Sequence, residues 1–244
     1  MCAICGCGQT NTEHSHVQHH SHHETSRLIK VEQDLLSKNN HYAAQNRHYF
    51  QQHNIFTLNF VSSPGAGKTT LLVETIQALK AQYPIAVIEG DQQTEHDAER
   101  IRTTGIPALQ INTGRACHLD AHEIGHAVSD LNVTDNSLLA IENVGNLVCP
   151  SGFDLGEAHK IVVLSVTEGD DKPLKYADMF YAADLMIINK IDLLPYVEFD
   201  IQRCISYAKR VNPGIEIISL SSTTKQDFNI WIDWLVSQMP GKAI

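Results

Sequence analysis

Cysteine and histidine are crowded together at the beginning of the chain. Cys2, Cys5 and Cys7 lie within the first seven residues, which is too close a spacing for a disulfide framework. Thiolates are soft ligands that suit zinc, copper(I) or nickel, and three of them this close can share one ion with little chain strain. The spacing therefore predicts a metal site; the alternative is adventitious cysteine in a disordered tail.

A run of histidines follows these cysteines. Neutral imidazole binds nickel, zinc and copper, and a dense run without fixed geometry is typical of a metal store. The run is interleaved with serine, valine and glutamine, which argues against an expression tag. The members of this candidate store are His14, His16, His19, His20, His22 and His23.

A different chemistry is indicated by the segment SSPGAGKTT, which stands between an expected strand and an expected helix. Small residues in such a loop let backbone N–H groups surround phosphate oxygens, and the start of the helix adds positive charge. Lys68 is placed to contact the β- and γ-phosphates, and the Thr69 hydroxyl is placed to bind Mg²⁺. Ser62 stands where the P-loop pattern has its first glycine, and a chance glycine-rich turn is the alternative. The predicted phosphate-binding residues are Gly65, Ala66, Gly67, Lys68, Thr69 and Thr70.

The segment NKID, well downstream of the loop, predicts that the base is guanine. Asn189, Lys190 and Asp192 follow an expected strand. A carboxylate at this point can accept hydrogen bonds from guanine N1–H and N2–H₂, a pairing that adenine does not offer. Ser221 and Ser222, after the last strand, are expected to complete the base pocket through backbone contacts; an ordinary capped loop is the alternative.

Two acidic residues bear on hydrolysis of the nucleotide. Asp91 ends the second expected strand, and Glu142 begins the segment ENVG, which looks like a D-x-x-G switch with glutamate in place of aspartate. Either can hold Mg²⁺, directly or through water, or position the attacking water. A structural role is equally open for each. Lys68, Thr69, Asp91 and Glu142 are the candidate catalytic set, and because none stands out as a base, slow turnover is expected.

A second group of soft ligands lies inside the chain. Cys117 and His118 are adjacent, and Cys149 follows the Glu142 segment. These residues can form a metal site near the nucleotide, although spacing alone favours two small buried cysteines.

The segment HEIGH overlaps the same region and matches the zinc-protease pattern H-E-x-x-H. A protease needs a cleft built around that helix, whereas here the pattern lies inside a P-loop domain, so the protease interpretation is disfavoured. His118, His122 and His126 are expected on one helical face, where they can add imidazoles near Cys117.

The elements that must position these residues alternate between strand and helix. The expected strands are apolar along their whole length, which is typical of a parallel sheet covered by helices on both faces. Strands are expected at 55–61, 85–91, 108–112, 137–144, 159–166, 183–190 and 216–221, and helices at 69–83, 94–104, 117–131, 198–210 and 228–239. The predicted fold class is α/β, a three-layer P-loop NTPase fold with a mostly parallel sheet. Residues 55–244 form this domain, residues 26–54 a helical lead, and residues 1–25 a disordered metal-binding arm.

Composition excludes several kinds of partner. The chain has 244 residues, a formal net charge of −10 and a mean hydropathy of −0.18. The negative charge argues against nucleic acid, and the lack of a long apolar run argues against a membrane span. Without an apolar leader, and with cysteines spaced for metal rather than disulfides, a cytoplasmic location is expected.

Together these segments resemble the HypB family of hydrogenase nickel-incorporation GTPases. MCAICGCG resembles the family's N-terminal nickel motif, and NFVSSPGAGKTTLL resembles its P-loop, including the serine at 62. Further similar segments are EGDQQTEHDAERI, GRACHLDA, ENVGNLVCP, VTEGDDKPLKY, NKIDLLP and FNIWIDWL.

The resemblance implies a GTPase of the SIMIBI class that binds GTP or GDP with Mg²⁺ and dimerises when GTP is bound. It implies a Ni²⁺ or Zn²⁺ site made by Cys117, His118 and Cys149 at the dimer interface, and a tight nickel site at the three N-terminal cysteines. Lys172 and Lys175 are implied to reach the nucleotide at that interface.

The implied role is that of a nickel metallochaperone. It inserts Ni(II) into a [NiFe]-hydrogenase large-subunit precursor, together with other maturation proteins. Two alternatives stay open: a metal-regulated GTPase whose main task is nickel storage, and nickel delivery to urease.

Overall fold

One sheet of seven strands organises the computed structural model, which describes residues 21–91, 96–114 and 116–239. The strand order is β3-β2-β4-β1-β5-β6-β7, and all six neighbouring pairs are parallel. The strands are β1 (Phe56–Ser62), β2 (Ile85–Asp91), β3 (Ala108–Asn112), β4 (Leu138–Gly145), β5 (His159–Ser165), β6 (Leu185–Asn189) and β7 (Glu216–Ser219).

Helices connect these strands and cover both faces of the sheet. They are α1 (Ser21–Gln52), α2 (Lys68–Leu79), α3 (His96–Arg102), α4 (Ala121–Leu131), α5 (Lys172–Lys175), α6 (Ala177–Ala182), α7 (Ile201–Val211) and α8 (Phe228–Gln238). Two short 3₁₀ helices, Cys149–Gly152 and Ile191–Tyr196, follow β4 and β6. Among the described helices none is both long enough and apolar enough to cross a bilayer.

The burial pattern of β4 shows why the strands are apolar throughout. Leu138 and Ala140 pack into a core cluster with residues of α2 and α8, whereas Leu139 and Ile141 pack into another cluster with residues of α1 and α4. Successive strand residues point to opposite faces, so a strand covered on both sides needs apolar residues at every position. The predicted three-layer α/β fold is confirmed, and every described strand pairing is parallel.

Helix α1 is fixed to the domain by buried amides. Asn46 donates hydrogen bonds to the backbone oxygens of Ala121 and Leu155 at 2.7 and 3.0 Å, and the Asn39 side chain accepts from the N–H of Ala121 at 2.9 Å. Because these bonds join α1 to the start of α4, the helical lead positions the segment just before α4.

Several predicted boundaries differ from the structure. The lead is one helix that begins at Ser21, five residues inside the segment expected to be disordered, since its serine, histidine and glutamate residues do not oppose helix. The helix expected at 117–131 begins only at Ala121, because Asp120 caps it, so His118 lies outside the helix and does not share a face with His122 and His126. The short helices after β5 were not predicted, because four to six residues carry too little periodicity.

Candidate nucleotide and metal sites

The loop between β1 and α2 has the conformation that phosphate binding needs. Gly65 and Gly67 have φ values of 75° and 98°, in the left-handed region that glycine enters at little cost. Helix α2 begins at Lys68, so its first backbone N–H groups point toward the loop. The Lys68 ammonium donates to Ser62 Oγ at 2.8 Å. Ser62, the departure from the usual glycine, therefore holds the lysine.

This loop forms one wall of a cavity of about 510 Å³, here called the nucleotide cavity. Its volume falls within the range of small-molecule sites. The ends of β2 and β4 also line it, as expected for ligands bound at the carboxyl ends of parallel strands. The side chains that line it beyond the loop are Glu89, Asp91, Arg100, Glu142, Asn143, Val144 and Lys190.

Two buried carboxyl groups face this cavity from neighbouring strands. Glu89 and Glu142 are partners in the β2–β4 register and are both nearly inaccessible. The Thr69 hydroxyl donates to Glu142 Oε1 at 2.8 Å. Carboxylate and hydroxyl oxygens are the ligands that Mg²⁺ prefers, so Thr69, Glu142 and Glu89 fit this ion, with the half-buried Asp91 at the end of β2. The sequence interpretation missed Glu89, although a glutamate within an apolar strand was an available signal.

Arg100 is a second residue that the motifs did not indicate. Its guanidinium donates to the Thr70 hydroxyl at 3.1 Å, and it lines the nucleotide cavity. A guanidinium at this position adds positive charge to a cavity that several carboxylates also line, which favours phosphate oxygens there.

The NKID segment is tied directly to the phosphate loop. Asn189 donates to the backbone oxygen of Ala66 at 3.0 Å, and the Lys190 ammonium donates to that of Gly65 at 2.7 Å. Asp192 Oδ1 is buried and makes no hydrogen bond within the residues that the structure describes. An orphan buried acceptor is costly, and guanine N–H groups are the donors that would satisfy it.

The two serines act differently from one another. Ser222 donates through both its N–H and its hydroxyl to Asn189 Oδ1, at 3.1 and 3.0 Å, so it orients the asparagine. Ser221 Oγ accepts from the N–H of Thr224 at 3.0 Å and thereby caps a turn. Both are buried, and neither lines the nucleotide cavity.

Cys117, His118 and Cys149 come together in space and are here called the Cys117 cluster. Their ligand atoms all lie within 4.8 Å of one another, and Cys117 Sγ lies 3.7 Å from His118 Nδ1. Burial lowers the pKa of His118 below its ordinary value, although the negative charge of Asp120 opposes this. A neutral imidazole beside two thiols is a donor set for nickel or zinc.

The end of β4 joins the nucleotide cavity to the Cys117 cluster. Asn143 lines the cavity, and its Oδ1 accepts a hydrogen bond from the N–H of Leu119 at 3.2 Å, one residue after His118. Asn146 donates to the backbone oxygen of Cys117 at 3.3 Å. One short segment therefore both lines the nucleotide cavity and is hydrogen-bonded to the backbone around the Cys117 cluster.

Comparison with known proteins accounts for this combination of sites. Residues 56–219 match the family model described as CobW/HypB/UreG, nucleotide-binding domain. The chain is also 60% identical over 213 residues to a hydrogenase maturation factor HypB from Azotobacter vinelandii, an alignment that covers 87% of this chain and 70% of that protein. The chain belongs to the HypB family.

Solved HypB structures share the fold. The crystal structure of HypB from Archaeoglobus fulgidus has a TM-score of 0.78 and 40% identity, and the match covers 84% of this chain and all of that one. The crystal structure of HypB from Helicobacter pylori in complex with nickel has a TM-score of 0.76 and 39% identity, over 85% of this chain and 99% of that one. The resemblance found in the sequence is confirmed.

Two lysines implied by the HypB resemblance have distinct surroundings. Lys172 donates to Ser63 Oγ at 2.7 Å and pairs with Glu168 at 2.8 Å, so its ammonium lies against the phosphate loop. Lys175 forms an exposed ion pair with Asp171 at 2.7 Å. Of the two, the geometry brings only Lys172 to the loop.

The H-E-x-x-H segment does not have the geometry of a protease site. Glu123 belongs to a capping box: its carboxylate accepts from the N–H of Asp120 at 3.0 Å, and the Asp120 carboxylate accepts from the N–H of Glu123 at 2.8 Å. A carboxylate used as a helix cap is not available as a general base. The start of this helix is hydrogen-bonded to α1 through Asn46.

The remaining predicted ligands lie mainly outside the described residues. The structure does not describe the three cysteines of the N-terminal motif or the first four histidines of the run. His22 and His23 lie in α1.

Proposed function

We propose that this protein is a GTP-hydrolysing nickel metallochaperone that loads Ni²⁺ into a [NiFe]-hydrogenase precursor. The observation that carries the proposal is the shared segment at the end of β4, which reaches the nucleotide cavity through Asn143 and the Cys117 cluster through Leu119 and Asn146. A change at the γ-phosphate can reach the metal ligands along this segment.

The residues of the nucleotide cavity are proposed to have different roles in hydrolysis. Lys68 and Arg100 neutralise phosphate charge, and the backbone around Gly65 and Gly67 binds phosphate oxygens. Thr69 and Glu142 are the residues that would hold Mg²⁺, which supplies charge neutralisation between the phosphates when bound. Asp91, which also lines the cavity, is proposed to orient the attacking water. Among the described residues that line the cavity there is no histidine, and slow hydrolysis is part of this proposal.

Guanine specificity is assigned to Asp192, and one substitution tests it. Asp192→Asn replaces an acceptor with a donor, so GTP affinity should fall while affinity for xanthosine triphosphate, which offers an acceptor in place of the guanine amino group, should rise. Asp178→Asn, in α6, is the matched control and should leave both affinities unchanged. An Asp192→Asn protein that binds GTP as before contradicts the assignment.

Nickel is the cargo in this proposal rather than a fixed cofactor. Two thiols and one imidazole accept both Ni²⁺ and Zn²⁺, and the nickel-bound HypB from Helicobacter pylori supports nickel for this chain. The N-terminal cysteines are proposed as a tight nickel site and the histidine run as a store that feeds it. The relatives' name, hydrogenase maturation factor, supports the hydrogenase precursor as recipient and other maturation proteins as partners.

Dimerisation is proposed to depend on GTP and to complete the metal site across a homodimer. Sedimentation velocity with Mg²⁺ and a non-hydrolysable GTP analogue should show a dimer, whereas GDP should give mainly monomer. Lys68→Ala, which removes the phosphate contact, should abolish the difference. The same sedimentation coefficient with both nucleotides contradicts this part of the proposal.

Delivery itself is tested in cells that lack their own nickel-insertion GTPase. Hydrogenase activity should be restored by the wild-type chain and not by Cys117→Ala, while Cys204→Ala, which alters a buried cysteine of the core, should restore it fully. Restoration by Cys117→Ala would instead favour a GTPase that stores metal.

A further inference from the structure

A buried ion pair adjoins the segment that carries Cys149. Lys160 lies on β5 and Glu157 just before that strand, and their side chains are only 8% and 6% exposed, with Lys160 Nζ 3.7 Å from Glu157 Oε1. Burying two charges is costly, and such a pair is weak evidence of stabilisation. Neither residue lines the nucleotide cavity or belongs to the Cys117 cluster, so a direct part in either site does not explain the pair.

The Lys160 ammonium holds the short 3₁₀ helix that begins at Cys149. It donates hydrogen bonds to the backbone oxygens of Pro150 and Phe153 at 3.2 and 3.0 Å. Pro150 follows Cys149 directly, and Phe153 is the residue at which this helix ends. Carbonyl oxygens at the end of a helix lack partners within it. The lysine supplies a donor to them and thereby fixes the backbone on which the Cys149 thiol stands.

The same lysine bears on a second member of the Cys117 cluster. The ring of Phe153 packs against the imidazole of His118, with ring centroids 3.8 Å apart and an interplanar angle of 38°. Lys160 holds the backbone of Phe153 while the side chain of that residue supports the imidazole. One buried ammonium is therefore connected to two of the three ligands, to Cys149 through the backbone and to His118 through the phenylalanine ring.

Glu157 is itself fixed on both carboxylate oxygens. Its Oε1 accepts a hydrogen bond from Asn59 Nδ2 at 3.0 Å, and its Oε2 accepts from the N–H of Leu155 at 2.6 Å. Asn59 is fully buried and is the register partner of Lys160 between β1 and β5. The counter-ion of the lysine is thus held in place by the sheet. Because the two charges oppose each other, we expect the pair to act on the cluster through geometry rather than through its electric field.

We propose that Lys160 and Glu157 are positioning residues for the nickel ligands Cys149 and His118. That the ion at these ligands is nickel rests on the proposed function. Groups that orient metal ligands raise metal affinity, because the ligands need not be ordered when the ion binds.

Nickel binding to the Cys117 cluster tests this inference, read as affinity in competition with a chelator and as the thiolate-to-nickel charge-transfer spectrum. The full-length chain carries serine at the three N-terminal cysteines and asparagine at the histidine run, so that internal sites alone report, and GDP is the only nucleotide. The test variant is Glu157→Gln/Lys160→Met, because removing the lysine alone would leave a buried carboxylate without its counter-ion, a strongly destabilising change.

The double variant should bind GDP as the wild type does, because neither residue lines the nucleotide cavity. Its nickel affinity should fall at least about tenfold, the loss typical when a group that orients a metal ligand is removed, and its charge-transfer band should shift. Phe153→Leu keeps the backbone oxygen but removes the ring from His118, so nickel binding should weaken about threefold.

Thr75→Val is the matched control. It removes the hydrogen bond that the buried Thr75 hydroxyl accepts from Trp231 Nε1 at 2.8 Å, and Thr75 neither lines the nucleotide cavity nor belongs to the Cys117 cluster. It should lower the stability of the fold while keeping the wild-type nickel affinity and spectrum.

The proposal is overturned if the folded double variant keeps the wild-type affinity and spectrum, if Phe153→Leu keeps the wild-type affinity, or if Thr75→Val loses as much affinity as the double variant. Because GTP is absent throughout, failure of GTP to control nickel release would leave these outcomes unaffected. A wild-type chain without a thiolate-to-nickel band would instead overturn the proposed nickel site, and this inference with it.

Discussion

We expect Asn143 to be required for bound nucleotide to change the nickel affinity of the Cys117 cluster, and Asn143→Ala tests this. The substitution removes the acceptor for the N–H groups of Leu119 and Val144, both buried, and the 3.3 Å hydrogen bond to Asn59 Oδ1. Each buried donor left unsatisfied costs about 1–3 kcal/mol of folding stability. The three ligand residues of the Cys117 cluster are unchanged in this variant, but the hydrogen bond that connects their segment to the nucleotide cavity is lost.

The assay is the nickel affinity of the Cys117 cluster with GDP and with a non-hydrolysable GTP analogue. It is read in a full-length background with serine for the three N-terminal cysteines and asparagine for the histidine run, so that only internal sites report. Allosteric couplings of about 1–3 kcal/mol correspond to an affinity ratio of about 5–150 between the two states. In Asn143→Ala this ratio should fall toward one.

A matched control separates lost coupling from lost stability. The Asn212 amide nitrogen lies within hydrogen-bond distance of three backbone oxygens at the end of α6, and Asn212 neither lines the nucleotide cavity nor belongs to the Cys117 cluster, so Asn212→Ala should also destabilise the fold. It should keep the wild-type affinity ratio. If Asn143→Ala also keeps that ratio, the path through β4 is refuted.

Three further predictions concern single side chains. Burial raises the pKa of Cys204 to about 12, so peptide mapping after iodoacetamide treatment at pH 8 should find this thiol unmodified in the folded protein. Gly67→Ala places Cβ 2.6 Å from Asn189 Nδ2 at a φ of 98°, a left-handed strain of about 1–2 kcal/mol, and calorimetry should show GDP affinity at least about tenfold weaker. Burial alone would raise the pKa of Asp154. Its hydrogen bonds, of which the one from Arg47 is the strongest influence, outweigh burial, so the pKa of Asp154 is lowered. The ion pair therefore stabilises the fold when the pH is above the pKa that Asp154 has in the unfolded chain. This stabilisation is lost as the pH falls through the pKa that Asp154 has in the folded protein. Arg47→Met should then cost up to about 1 kcal/mol at pH 7 and less at pH 3 in urea unfolding.

Each of these has its own control or contradicting result. Gly105→Ala meets the same kind of backbone strain with nothing within 4 Å of the added carbon, so it should lose stability but retain GDP affinity. Cys117, which is only half-buried, should be alkylated under the conditions that spare Cys204. A cost of Arg47→Met that grows with acidity would contradict the sign of the ion-pair argument.

Local pattern was sufficient to predict the sheet and the phosphate loop. Apolar runs bounded by turns mark buried parallel strands, and GAGKTT needs only its own neighbours to fold as a P-loop. By contrast, Cys117 and Cys149 are 32 positions apart in sequence and meet only because α4 and β4 bring the chain back to the same edge of the sheet. Sequence spacing alone therefore favoured two buried core cysteines, and the metal site was predicted only from the family resemblance. The role of Ser222 toward Asn189 also depends on how the last loop packs, which periodicity does not encode.

Nickel release to a chelator is the measurement that tests the central claim most directly. Nickel-loaded protein in the background without N-terminal ligands is mixed with chelator in the presence of GDP or the GTP analogue, for wild type, Cys117→Ala and Cys204→Ala. The account predicts different release rates with the two nucleotides in wild type and Cys204→Ala, and no difference in Cys117→Ala. Release at one rate with both nucleotides in all three proteins would contradict the claim that GTP controls the metal.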